Sequence, residues 1–363
     1  MTGPTKTSPM EQTPGLQPPS EAITPRPTSG GSMQAAMKRI LPRSYLFIVL
    51  AITVAAGAAS SSNFLTVFNM KNILITASVV SVLAVGQFFV IVTGGIDLSV
   101  GSVVAFSTVL TAIFLREGIP FVPTMVLTLL CCGLIGTING LIVVYGGITP
   151  FIATLATLSM VKGLSYIIQS GTLIQIDNQH FLNLFNLEFA GIPRPVIIFV
   201  LVMLVAAFVT KFTTFGRQLY AIGGNTEAAR LSGLPVRRNL VSVYTVSGFL
   251  AGLAGLMLSA QLLQGSSLVG SGYELDSIAA VVVGGASLFG GTGDPISSVI
   301  GGLIIGTLLN IMNLLGVASE TQLIVKGGVI LIAVFFTTGV GLRGIRRITG
   351  GLRSRRGPRP EAA

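Results

Sequence analysis

Residues 215–238 read FGRQLYAIGGNTEAARLSGLPVRR, a polar and basic interruption in an otherwise apolar chain. Asn225 suits a helix N-cap, because its side-chain oxygen can accept from a free backbone N–H of the first turn. Glu227 then falls in that turn, where the helix dipole favours an anion. Gly233 is a natural C-terminal stop, and Pro235 prevents continuation. The spacing predicts a helix of about two turns, roughly 10 Å long. The stretch holds no His, Cys, carboxylate pair or phosphate loop. A short capped helix with nothing to catalyse reads as an element that another protein grips.

Outward from this break, the chain is 51% hydrophobic and only 9% charged, with a mean hydropathy of +0.83. A soluble globular domain is about 25% charged, so the expected solvent is the bilayer. The net charge of +10 does not point to nucleic acid. The basic residues gather at the chain ends and in the break, with few aromatics beside them, as expected of cytoplasmic loops. Cys131 and Cys132 are adjacent in an apolar run, which suits neither a disulfide nor metal chemistry. His180 is the sole histidine, so no multi-histidine metal site is expected.

Windows of about 20 apolar residues give about ten spans. They fall near 44–61, 72–93, 98–115, 121–145, 150–169, 194–211, 239–263, 275–291, 295–316 and 321–340. The expected fold is an all-α polytopic membrane protein of about ten transmembrane helices, some broken or short. The segments at 98–115 and 275–291 are short and rich in Gly and Ser, which suits broken or half-buried pieces inside a bundle. Residues 1–37, rich in Pro, Thr, Ser and Gly, are expected to be disordered. They lack the apolar core of a secretory signal, so the first span is expected to be retained. The membrane domain then covers 38–345, and 346–363 form a basic tail.

Lys and Arg set the orientation. Lys38, Arg39 and Arg43 precede the first span; Lys211, Arg217, Arg230, Arg237 and Arg238 sit in the break; Arg343, Arg346, Arg347, Arg353, Arg355, Arg356 and Arg359 follow the last. Ten spans place all three groups on the cytoplasmic side, with both termini, whereas nine do not. The longest opposite loop, 170–193, alternates apolar and polar residues and suggests a short ordered element.

Polar residues inside such a chain are the functional candidates. In GGIDLSVGS, residues 94–102, Asp97 lies among helix-breaking glycines between two apolar spans. Either it caps the following helix or it faces a cavity or partner, and both roles are compatible in a broken helix lining a transport path. Gln87, Asn139, Lys162, Gln261, Asn310, Asn313 and Lys326 lie in or near spans. Each either lines a polar pathway or hydrogen-bonds between helices; Asn139 and Asn310 are the leading pathway candidates. Glu274 and Asp276, just before a span on the outer side, suit an ion pair with a partner or the helix N-terminus. Gly291, Thr292, Gly293 and Asp294 spell the GxGD signature of intramembrane aspartyl proteases. Such an enzyme needs a second carboxylate sharing a proton, and Asp97 lacks the Tyr-Asp context. An Asp-Pro turn is the ordinary reading. No GxxxxGK[ST] loop occurs, so a pump built on this chain has its motor elsewhere.

Four blocks carry a resemblance to a known family. GGIDLSVGS at 94–102, INGLIVVYGGITPFIATLATL at 138–158, residues 215–238 quoted above, and GYELDSIAAVVVGGASLFGGTGD at 272–294 resemble the membrane permeases of ribose-type sugar ABC importers. The similarity runs from about residue 40 to 345, in unbroken order. The resemblance implies a subunit of the bacterial cytoplasmic (inner) membrane, surrounded by lipid and paired with a second permease copy as a homodimer. A separate ATPase subunit would carry ATP-Mg, with no cofactor on this chain, and a periplasmic or extracellular sugar-binding protein would deliver substrate. The loop at 212–238 would be the cytoplasmic coupling loop, with Gly224, Asn225, Glu227, Ala228, Arg230, Leu231 and Gly233 contacting the ATPase. Glu227, Arg230 and Leu231 share one face, a patch suited to a groove. Asp97, Gln87, Asn139 and Asn310 are assigned to the substrate path, and Glu274 and Asp276 to the binding protein, by inference from position. A permease for nucleosides or branched-chain amino acids shares the segment plan. An ion-coupled carrier, needing functional intramembrane charges, is the alternative of a different class.

Overall fold

The computed structural model of the chain describes Gly3 and residues 31–337, with side chains over 44–335. The chain divides into two units between Pro42 and Arg43, and the fold below is that of the second. The basic tail at 346–363, most of the N-terminal tail and the end of the span read at 321–340 lie outside the described residues. Helix α1 (Gly31–Ser60) begins inside the segment read as disordered. Met33, Gln34, Ala35, Ala36 and Met37 are good helix formers.

The remaining helices follow the apolar runs. They are α2 (Val67–Val92), α3 (Val100–Arg116), α4 (Phe121–Val144) and α5 (Pro150–Gln169). After a loop holding β1 (Ile174–Gln175), α6 (Gln179–Asn186), β2 (Glu188–Phe189) and β3 (Ile192–Pro193) come α7 (Arg194–Phe212), α8 (Thr214–Gly224) and α9 (Thr226–Leu231). Then follow α10 (Val236–Leu262), β4 (Gln264–Gly265), α11 (Tyr273–Val283), α12 (Pro295–Leu314) and α13 (Ser319–Thr337). Among the described residues, α2, α4, α5, α7, α10 and α12 are long and apolar enough to cross a membrane; Ser44–Ser60 and α3 are shorter apolar helices. The protein is thus mostly helical, apart from two small ribbons pairing β1 with β4 and β2 with β3.

Burial separates centre from rim. The apolar window of α2 is 89% buried, that of α12 78% and of α10 61%, against 28% for α5 and α7. The rim helices instead expose large apolar side chains such as Leu130, Ile167 and Phe208, as a bilayer-facing surface requires. Helix α10 packs most extensively on α4. Small residues permit it: a Cβ on Gly248 would lie 2.9 Å from the backbone N of Gly136.

The span read at 275–291 is a short helix followed by a loop. Helix α11 stops at Val283 after 11 residues, roughly 16 Å, about half of a ~30 Å hydrocarbon core. Gly285 ends the helix with φ +86°, and Gly290 and Gly291 hold positive φ angles further along the loop. An apolar count cannot locate that break.

The loops gather at two ends of the bundle. At one, Gly291 N donates to Val92 O at 2.9 Å and Tyr220 Oη to Gly293 O at 3.0 Å. That joins the end of α2, helix α8 and the loop 284–294. At the other, β1 pairs with β4, Asn186 Nδ2 donates to Ala260 O at 2.9 Å, and Lys71 meets Glu188 at 2.6 Å.

Candidate functional site

Helix α9 sits at the first of these ends and is built by its caps. Asn225 Oδ1 accepts from Ala228 N at 2.9 Å, and Gly233 turns the chain out with φ +78°. On the outer face Arg230 reaches Glu227 through both Nε, at 3.0 Å, and Nη2, at 2.5 Å. The Arg230 guanidinium holds the Glu227 carboxyl below its ordinary range, and the carboxylate holds Arg230 above its own. Leu231 is 76% exposed beside them. The inner face is apolar: Ala229 packs with Ile222 and Val236, backed by Leu234 and Leu240. Gln218 Oε1 accepts from Asn239 Nδ2 at 2.8 Å and ties α8 to α10.

Below α9, helix α8 meets the membrane core without side chains in between. A Cβ on Gly223 would collide with Val92 O and approach Gly291 N to 2.5 Å. Three backbones therefore touch here: the end of α8, the end of α2 and the loop 284–294. Phe289, on that loop, is 79% exposed at the same end as Leu231.

Five residues past Val92 lies Asp97, buried in the break between α2 and α3. Its Oδ1 accepts from Ser99 N at 3.0 Å and Ser99 Oγ at 2.6 Å; its Oδ2 accepts from Ser247 Oγ of α10 at 2.8 Å. Asn139 of α4 donates to Ser99 Oγ at 2.8 Å, and Thr154 of α5 to Ile96 O at 3.3 Å. With its amide turned to match, Gln87 of α2 pairs with the Asp97 backbone at 3.1 and 3.2 Å. The carboxylate thus fixes an Asx-type turn at the start of α3, whose own N-cap residue Ser99 makes no side-chain cap bond. Elements α2, α3, α4, α5 and α10 converge on one polar node.

Asn310 does not join it. Its amide exchanges two 3.0 Å hydrogen bonds with Asn69 near the start of α2, some 27 Å along that helix from Gln87. The four residues assigned to one path are therefore three plus one. Asp276, assigned to the binding protein, is 2% exposed, and Lys326 Nζ lies 2.8 Å from its Oδ2. Its partner is within the chain, fifty residues on. Glu274 folds back to accept from Gly272 N at 3.1 Å. Asp294, read in the GxGD stretch, caps α12 by accepting from Ser297 N and Ser297 Oγ, both at 3.0 Å.

A family model described as branched-chain amino acid transport system / permease component matches residues 69–334. This chain belongs to that family. It is a permease, a multi-pass protein of the bacterial inner membrane. The permease is 41% identical over 290 residues to the D-allose transport system permease protein AlsC of Escherichia coli, covering 79% of this chain and 89% of the relative. It is 41% identical over 309 residues to the ribose import permease protein RbsC of Haemophilus influenzae, covering 84% and 96%. The L-arabinose ABC transporter permease protein AraH of Azospirillum brasilense is 34% identical over 318 residues, covering 88% and 92%. No solved structure matches the chain.

Within this permease, sequence reasoning missed Gly223, Ser99, Ser247 and Phe289. Gly223 is one glycine among 45, and only its contacts single it out. Ser247 follows Asp97 by 150 residues, with no local signal. Ser99 was the findable one, because Asp-x-Ser before an apolar run is a cap pattern.

Proposed function

We propose that this permease moves a monosaccharide inward across the cytoplasmic membrane, driven by ATP hydrolysis on a separate ATPase subunit. One observation carries the substrate class: the relatives covered over most of their length are permeases named for ribose, D-allose and L-arabinose. The family description names branched-chain amino acids, but 34–41% identity to sugar permeases weighs for the sugar.

The geometry supports a mechanism. Helix α9 offers an ATPase groove its ion-paired, Leu231-tipped face. Closure of two ATP-Mg-loaded domains displaces α9, and α8 moves with it as one body through the shared apolar cluster. The backbone contact at Gly223 passes that displacement to the end of α2 and to the loop 284–294. The turn at Asp97, bonded to α4, α5 and α10, then shifts the helices around it. A second permease copy would complete the path, and an extracytoplasmic binding protein would deliver the sugar.

We read the topology as ten crossings with both termini cytoplasmic, one crossing being α11 plus the loop 284–294. Support comes from the basic residues of the break at the α8–α9 end and from the basic groups that precede the first span and follow the last in the sequence.

The test is purification of tagged permease from native membranes in mild detergent, with ATPase activity measured on the eluate. Copurifying activity that Glu227→Arg abolishes, with the chain intact, is the expected result. Intact wild-type permease that brings no ATPase would overturn the reading in favour of an ion-coupled carrier.

A further inference from the structure

At the end opposite α9, helices α2, α5, α11, α12 and α13 line an open cleft of about 560 Å³. That is within the ~300–1,000 Å³ of small-ligand sites. Its wall carries Lys162, Tyr273, Glu274, Asp276, Gln322 and Lys326. Charged side chains inside membrane helices are expensive and are kept where they face a partner or a substrate route.

The Asp276–Lys326 pair is not a saturated structural bridge. Lys326 Nζ meets only one carboxylate oxygen, Oδ2, at 2.8 Å. The other, Asp276 Oδ1, is buried and accepts no hydrogen bond among the described residues. A carboxylate left half-satisfied at this depth is costly unless something else donates to it. Nearby, Lys162 Nζ reaches Ser271 Oγ at 3.1 Å, leaving further donors of its ammonium for a ligand. Tyr273 adds an aromatic face with a polar tip.

The chemistry of the missing partner follows from this set. The wall carries two cations and two anions, and Asp276 is paired with Lys326, so a ligand with net charge gains little. A neutral polyol gains much, because each hydroxyl both donates to a carboxylate and accepts from an ammonium or amide. We propose that this cleft holds the incoming monosaccharide inside the permease before it passes inward, its hydroxyls bound by Asp276, Glu274, Lys162 and Lys326. The proposal rests on the monosaccharide reading above, and adds a site within this chain to the selectivity of any delivering protein.

The test uses the permease reconstituted with its ATPase and binding protein in proteoliposomes. Ser271→Cys, on an exposed loop at the rim, is labelled with a membrane-impermeant thiol reagent in the presence of D-ribose, D-allose, L-arabinose or L-leucine. The unsubstituted chain, with Cys131 and Cys132, is the control. The expected result is that an imported sugar slows labelling and L-leucine does not. The paired substitution Asp276→Asn with Lys326→Met should lower sugar import about tenfold or more, while ATPase stimulation by the binding protein persists. Import by the wild type with no sugar slowing the labelling would overturn the cleft and leave the import reading standing. Failure of all three sugars to be imported would remove both, as would protection by L-leucine. If the double variant does not fold, the Ser271→Cys protection decides alone.

Discussion

At the scale of single residues, Asp97 is a buried acceptor on which three donors depend. Asp97→Ala strands Ser99 N–H, Ser99 O–H and Ser247 O–H, and each buried donor left unpaired costs about 1–3 kcal/mol. The expected outcome is a melting temperature in detergent several degrees lower, with reduced uptake. Asp97→Asn should be milder: it keeps an oxygen toward Ser99, and the Ser247 hydroxyl can turn to accept from the new amide. Equal melting of all three proteins would show that the node does not organise the break. Glu227 behaves differently because it is on the surface. Its carboxyl titrates below the ordinary range through Arg230, so its ion pair persists above that range and is lost only as pH falls through the lowered value. Copurification of the ATPase should therefore be insensitive, through this residue, between neutral pH and about pH 5. A sharp loss near pH 6 would require another group.

At the scale of elements, the contact of α8 with α2 makes neighbouring glycines unequal. Gly223→Ala inserts a methyl against Val92 O and Gly291 N, whereas a Cβ on Gly224 meets no atom within 4 Å. Overpacking of this kind costs about 1–3 kcal/mol. Gly223→Ala should therefore retain ATPase association through α9 but lose sugar import, read as ATP hydrolysed without transport. Gly224→Ala should melt like the wild type, and identical transport by Gly223→Ala would refute the backbone relay. The contrast shows what the sequence could disclose. Helix α9 was legible because Asn225, Glu227, Gly233 and Pro235 act locally, on neighbours three or four residues away. The apolar spans were legible because composition alone decides which segments leave water. The role of Gly223, the pairing of Asp276 with Lys326 and the separation of Asn310 from Asp97 were not legible. Each depends on which helices become neighbours across fifty or more residues. That 275–291 is broken was legible from its Gly and Ser, but where it breaks was not, since VVVGGASLF is apolar whether it is helix or looped backbone.

At the scale of the whole molecule, the two clusters of loops make the proposed topology testable at one position. If α11 and the loop 284–294 form one crossing, residues 263–272 and Asp294 are on opposite faces. Eleven helical residues rise roughly 16 Å, and the following loop must cover the remaining half of a ~30 Å core. Its hydrogen bonds to Val92 and Tyr220 place it beside the end of α2 and beside α8. Single cysteines at Asp177, Ser232 and Phe289, all exposed, then separate the alternatives in whole cells treated with a membrane-impermeant thiol reagent. Asp177→Cys should label from outside, while Ser232→Cys and Phe289→Cys should label only after permeabilisation. Outside labelling of Phe289→Cys would mean that α11 enters and returns on one face. The crossings would then number nine, and the basic groups before the first span and after the last would fall on opposite sides, against the charge rule. Matching protection of Phe289 and Ser232 would instead place the broken crossing, and the polar cleft at its start, on the line between the delivering face and the ATPase.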